Sequence, residues 1–129
     1  MKEWIFKVFI HYDAAGKPIN EINNWLNSLD SRMRARVRSI IAHLETQKDM
    51  RCRWFESYNS HQYIYEIRFR KHKKYYRLFG CFGPEGKDFT LLIPVDKVAG
   101  RLKPTNGIEL AEERRKLIFQ DRRYLDDFV

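Results

Sequence analysis

Apolar residues along the chain change their period several times, and each change predicts an element. Trp4 to Ile10 is aromatic and β-branched and predicts a first strand, with Lys7 suited to an edge position. Asp13-Ala-Ala-Gly16 predicts a turn. Pro18 is then placed to open a helix, where its missing N–H costs nothing. Ile19, Ile22, Leu26 and Leu29 recur at helical spacing. Asp30-Ser31 supplies a break and a cap, and Met33, Val37, Ile40, Ile41 and Leu44 form the apolar face of a second helix. The two helices are expected to make an antiparallel hairpin with one apolar side.

From Gln62 the period is two. Tyr63, Tyr65, Ile67 and Phe69 point one way; Glu66, Arg68 and Arg70 point the other. A second strand, Tyr75 to Phe82, puts Tyr76, Leu78 and Phe82 on one face and Arg77 on the opposite face. Between them lies the basic turn Arg70-Lys-His-Lys-Lys74. Gly83-Pro-Glu-Gly86 is the next turn and Phe89 to Val95 the next strand, so this part of the sheet is an antiparallel meander. Asn106 with Glu109 three residues on has the spacing of a capping box, which starts a last helix near Gly107 that runs into the 120s. The order strand, helix, helix, three strands, helix predicts one α+β domain over residues 1–129. Its helical hairpin should cover one face of a small mixed or antiparallel sheet. The face carrying Arg68 and Arg77 should stay at least partly open.

Charge adds a partner. Lys and Arg total 25 against 17 acidic residues, a formal charge of +8 in 129 residues. Such a charge concentrates polyanions at the surface, so nucleic acid is the first candidate, and an acidic protein or a membrane surface the second. The two cysteines, Cys52 and Cys81, and the histidines His11, His43, His61 and His72 have no metal-ligand spacing. This predicts no metal and no cofactor, and fits a reducing cytoplasm. Neither a signal-peptide pattern nor a bilayer-spanning stretch is visible.

Arg68 and Arg77 fall on the non-core face of neighbouring strands. Lys97, Arg101 and Lys103 follow the last meander strand, and Tyr75 adds a ring. Together they are expected to form a basic surface for a phosphate backbone with a stacked base. Arg70, Lys73 and Lys74 of the turn could join it. The same pattern fits surface arginines that merely pair with Glu66 and other acids. The Arg32, Arg34, Arg36 and Arg38 run reads as a solvated helix face. His11 and His61 are possible general bases with no partner evident in the sequence, and Cys81 reads as a packed small residue.

Four segments in order carry a resemblance: Ile64-Tyr-Glu-Ile-Arg68, Tyr76-Arg-Leu-Phe-Gly-Cys-Phe82, Phe89-Thr-Leu-Leu-Ile-Pro-Val95 with Lys97, and Ile108-Glu-Leu-Ala-Glu-Glu-Arg-Arg115. They resemble the HigB branch of the RelE-type toxins, a branch that includes many phage-derived proteins. The resemblance implies an α+β fold, metal-independent cleavage of mRNA on the ribosome, and neutralisation by a small helix-turn-helix antitoxin. By position it implies catalytic roles for Arg77, Arg68 and Lys97, and puts Lys103 before the family's proline. The resemblance also implies a catalytic role for Tyr124, in place of an aromatic or imidazole that relatives put near the reacting phosphate. Where many members carry a histidine-glycine-aromatic run, this chain has Ile93-Pro94-Val95. The competing expectation is a non-catalytic module of the same fold that binds nucleic acid or an acidic phage or host protein.

Overall fold

A computed structural model describes residues 2–71 and 73–129. Met1 and His72, the latter within the basic turn, lie outside the described residues. The chain forms β1 (Ile5–Phe9), β2 (His11–Tyr12), β3 (Pro18–Ile19), α1 (Glu21–Ser28), α2 (Ser31–Glu45), β4 (Phe55–Ser57), β5 (Tyr65–Lys71), β6 (Lys74–Phe82), β7 (Asp88–Val98), β8 (Arg101–Lys103), α3 (Gly107–Gln120) and β9 (Leu125–Asp127). The main sheet has the order β4-β5-β6-β7-β1-β9, with β8 folded back on β7. β1 runs parallel to β7, and the other pairings are antiparallel. The architecture is α+β with a mixed sheet.

Both faces of the sheet are covered. Ile22 and Leu26 of α1 and the predicted stripe of α2 pack on Phe6, Val8, Ile67, Leu78, Phe89 and Leu91. On the opposite face, Ala111 and Ile118 of α3 pack on Phe9, Phe79, Cys81, Leu92, Ile93 and Val95. One bulge makes both cores possible. Phe79 pairs with Ile93 but Gly80 pairs with Leu91, so Leu92 is an extra residue. The facing of β7 therefore switches: Phe89 and Leu91 look toward α1 and α2, while Ile93 and Val95 look toward α3. Gly80 tolerates the crowding because a Cβ there would lie 2.5 Å from the Phe89 ring and 2.6 Å from the Thr90 carbonyl.

Several expectations change. β1 is not an edge strand, because the C-terminal β9 pairs with it, placing Asp127 opposite Lys7. The Lys7 ammonium sits 2.6 Å from Asp127 Oδ1, and this hydrogen bond is the main reason its pKa is raised. Pro18 does not open α1; it pairs with Tyr12 in a short hairpin, and Asn20 caps the helix by accepting from Asn23 N–H. Asp30 does cap α2, accepting from Met33 N–H at 2.8 Å. α3 starts at Gly107 as expected, but the Asn106 side chain makes no capping bond. Gly107 instead lets the helix start approach the sheet, where a Cβ would meet Val95 at 3.1 Å. The stretch between α2 and β5, which shows no strand period, supplies the edge strand β4.

Candidate nucleic-acid interface

Strand register decides which cations share a face. Arg68 pairs directly with Arg77, and Arg70 with Tyr75. Tyr75 pairs with Lys97. Side chains alternate along each strand, so Arg68, Arg70, Tyr75, Arg77 and Lys97 all lie on the α3 side of the sheet. They occupy the end that Ala111 and Ile118 do not reach.

Arg101 and Lys103 do not join them. Leu102, opposite Lys97, packs with the α3-side core, so its two neighbours point the other way. Lys103 pairs with Asp96, and Lys74 also acts on that carboxyl. Burial raises the Asp96 pKa against the pull of both lysines. Lys73 is exposed in the turn between β5 and β6. Tyr124 is also remote. It stacks on Phe9 of β1, and its hydroxyl accepts from Arg123 Nη2 at 2.8 Å. From β6, β7 must be crossed to reach β1, which at sheet spacing separates Tyr124 from Arg77 by about 10 Å or more.

The basic end of β5 opens into a cleft of about 280 Å3. Arg53, Arg68, Arg70 and Arg77 line it with Trp54 and Tyr75, and Arg36 reaches it from α2. No acidic residue is in its lining. The cleft sits at the β5 edge just past the three residues that β4 covers. Arg70 lies over the Tyr75 ring at 5.3 Å, and Arg53 over the Trp54 ring at 4.5 Å. Arg36, Arg53 and Trp54 were not singled out by sequence pattern. Arg36 sits in a run that reads as solvated, and the loop before β4 carries no periodic signal.

Carboxylates hold the two central arginines from behind. Glu66 alternates onto the same face, and its Oε2 lies 3.2 Å from Arg77 Nε. Its Oε1 is 3.7 Å from Arg68 Nη1, which also contacts Glu56 Oε1 at 2.8 Å. Burial raises the Glu66 pKa, and the guanidiniums of Arg77 and Arg68 oppose the rise. Arg68 further donates to the Arg53 carbonyl at 3.1 Å. Arg77 Nη1 is buried and has no hydrogen-bond partner among the described residues. The cleft thus presents guanidinium charge held in place by carboxylates behind it, which suits a phosphate.

Other candidate groups have structural partners. His11 Nε2 lies 3.4 Å from Glu21, which pairs with Arg114 at 2.7 Å. His61 faces Glu112. Cys81 is buried, and desolvation pushes its thiol up to about 12, too high for a nucleophile. Arg34 and Arg38 are not simply solvated: Arg34 caps α1 through the Leu26 and Leu29 carbonyls, and Arg38 donates to the Val129 carbonyl. Among the described residues no three His, Cys, Asp or Glu are grouped to hold a metal ion. No helix there is long and apolar enough to cross a membrane.

Fold and site together define a small α+β protein with an arginine-lined cleft at one end of a mixed sheet. The chain matches the family model of the phage-derived protein Gp49-like (DUF891) over residues 24–116, and it belongs to that family. The matched span runs from α1 into α3 and contains the whole cleft; β1, β9 and Tyr124 fall outside it. Neither a curated protein nor a solved structure gives a significant match.

Proposed function

We propose that this Gp49-like protein is the toxin of a toxin–antitoxin pair, an RNA-cleaving enzyme of the RelE and HigB type. Its substrate is mRNA on the ribosome, its site of action the cytoplasm, and its inhibitor a helix-turn-helix antitoxin. The observation that carries this reading is the cross-strand pair Arg68–Arg77 at a cleft with no acidic lining residue.

An RNA 2′-oxygen attacks the adjacent phosphorus while the bond to the 5′-oxygen breaks. The 2′-hydroxyl loses a proton and the leaving oxygen gains one, so the product ends are a 2′,3′-cyclic phosphate and a 5′-hydroxyl. Arg77 is assigned the charge that builds on the phosphorane, because it lines the cleft and its ion pair with Glu66 orients it. Arg68 and Lys97 position the backbone, and Tyr75, which is 43% exposed, offers a ring to a base. Arg70 and Lys73 extend the phosphate contacts toward the turn.

A second reading, the non-catalytic module, has its own support. Arg68 and Arg77 both carry carboxylate partners, and among the described residues the cleft lining contains neither histidine nor carboxylate to move a proton. Single-turnover cleavage and RNA affinity, measured with ribosomes in excess EDTA, separate the two. Arg77→Ala is expected to lower the cleavage rate about 100-fold, the scale of one lost transition-state donor, while affinity falls far less. Melting curves confirm that the variant folds. RNA binding by the wild type without cyclic-phosphate ends would establish the module instead.

A further inference from the structure

A second pocket, of about 350 Å3, opens where the loop before β5 meets α3. His61, Gln62 and Tyr63 come from the loop; Glu112, Arg115 and Lys116 come from one side of the helix. His61 Nδ1 accepts from the backbone N–H groups of Tyr63 and Ile64, both at 3.0 Å. That leaves the ring proton on Nε2, which donates to Glu112 Oε1 at 3.3 Å. His61 is therefore fully engaged and serves to position Glu112. The Arg115 guanidinium lies 3.8 Å from the centre of the Tyr63 ring and 4.7 Å from that of Phe119. Its Nε is buried and lacks a hydrogen-bond partner among the described residues. Tyr63 and Phe119 are 45% and 42% exposed, so both rings keep surface open to a ligand.

We propose that this pocket binds a nucleoside phosphate. Arg115 and Lys116 outnumber Glu112 in charge and take the phosphate oxygens. The exposed face of Tyr63 takes the base, since every base has a stacking face. Glu112, held by His61, accepts from a ribose hydroxyl or a base amine. Ile64 belongs to the α3-side core, so the pocket opens on the same sheet face as the arginine cleft. From Ile64 to Arg68 is about 13 Å of extended chain. The nucleotide can thus belong to the RNA strand that leaves the cleft, or be free. The strand source rests on the RNA reading above; the free nucleotide does not.

Calorimetric titrations with AMP, inorganic phosphate and an RNA of about ten nucleotides, a length single-strand grooves commonly cover, test this. AMP is expected to bind more tightly than phosphate. Tyr63→Ala and Arg115→Gln should each weaken AMP binding about tenfold, while Tyr63→Phe keeps it. Arg77→Ala reads out the arginine cleft: a loss of AMP affinity as large as in Tyr63→Ala and Arg115→Gln, or larger, would place the nucleotide in that cleft and overturn the proposal. If the strand is the source, Tyr63→Ala and Arg115→Gln also weaken the RNA; unchanged RNA affinity assigns the pocket to a free nucleotide. Absence of AMP binding to the wild type, or equal AMP affinity in the wild type and both variants, overturns the proposal. RNA affinity insensitive to every cleft substitution would sink the RNA reading and leave this pocket standing.

Discussion

Buried charges show how single residues trade solvation for position. Glu66 is 6% exposed, and burial opposes its ionisation even between two arginines. Asp88 is a simpler case, 2% exposed, with Oδ1 accepting from Glu85 N–H and Oδ2 without a hydrogen-bond partner among the described residues. Burial raises its pKa above the ordinary 3.8, and hydrogen bonds from Glu85 and its own backbone offset only part of the rise. The folded protein therefore holds this proton more tightly than the unfolded chain does. Its contribution to stability is complete below the ordinary value and is lost as pH rises through the raised one. Asp88→Asn removes that dependence. Thermal unfolding should show the wild type gaining stability relative to Asp88→Asn as pH falls from about 7 to about 4. A relative gain in the opposite direction would mean that Asp88 is stabilised as the anion.

Helix and strand ends carry much of what pattern alone does not reveal. Arg34 sits in a run of four spaced arginines that reads as a solvated face. Its guanidinium instead donates to the Leu29 carbonyl at 2.9 Å and the Leu26 carbonyl at 3.3 Å, closing the C-terminus of α1. Arg34→Ala should lower stability by about 1.5–3 kcal/mol, the range for hydrogen bonds involving a charged group, in a urea titration. Arg32→Ala, on the same helix, should change little. Equal effects would return Arg34 to the surface. The α2 stripe, the Asp30 cap and the β5–β7 meander were legible because apolar period and capping chemistry are local. β4 and β9 were not, because a three-residue edge strand is defined by its partner. The facing of Arg68 against Arg77 could be read from alternation. That Arg101 and Lys103 turn away could not, since it depends on a hairpin register beyond the meander.

At the scale of the whole molecule, the formal charge of +8 guarantees attraction to polyanions but does not place them. The sheet distributes that charge to two sides: Arg70 and Lys97 accompany the Arg68–Arg77 pair, while Arg101 and Lys103 lie behind it. Removing either pair costs the same two charges. A polyanion held only by net charge would respond equally to both losses. RNA seated along the α3-side face would respond to one. The most direct measurement is the slope of log affinity against log salt for single-stranded RNA, compared between Arg70→Ala/Lys97→Ala and Arg101→Ala/Lys103→Ala. The first variant is expected to flatten the slope by about 1.4, near 0.7 for each lost phosphate contact, with the second close to the wild type. Equal flattening in the two variants would contradict the placement of RNA on this face.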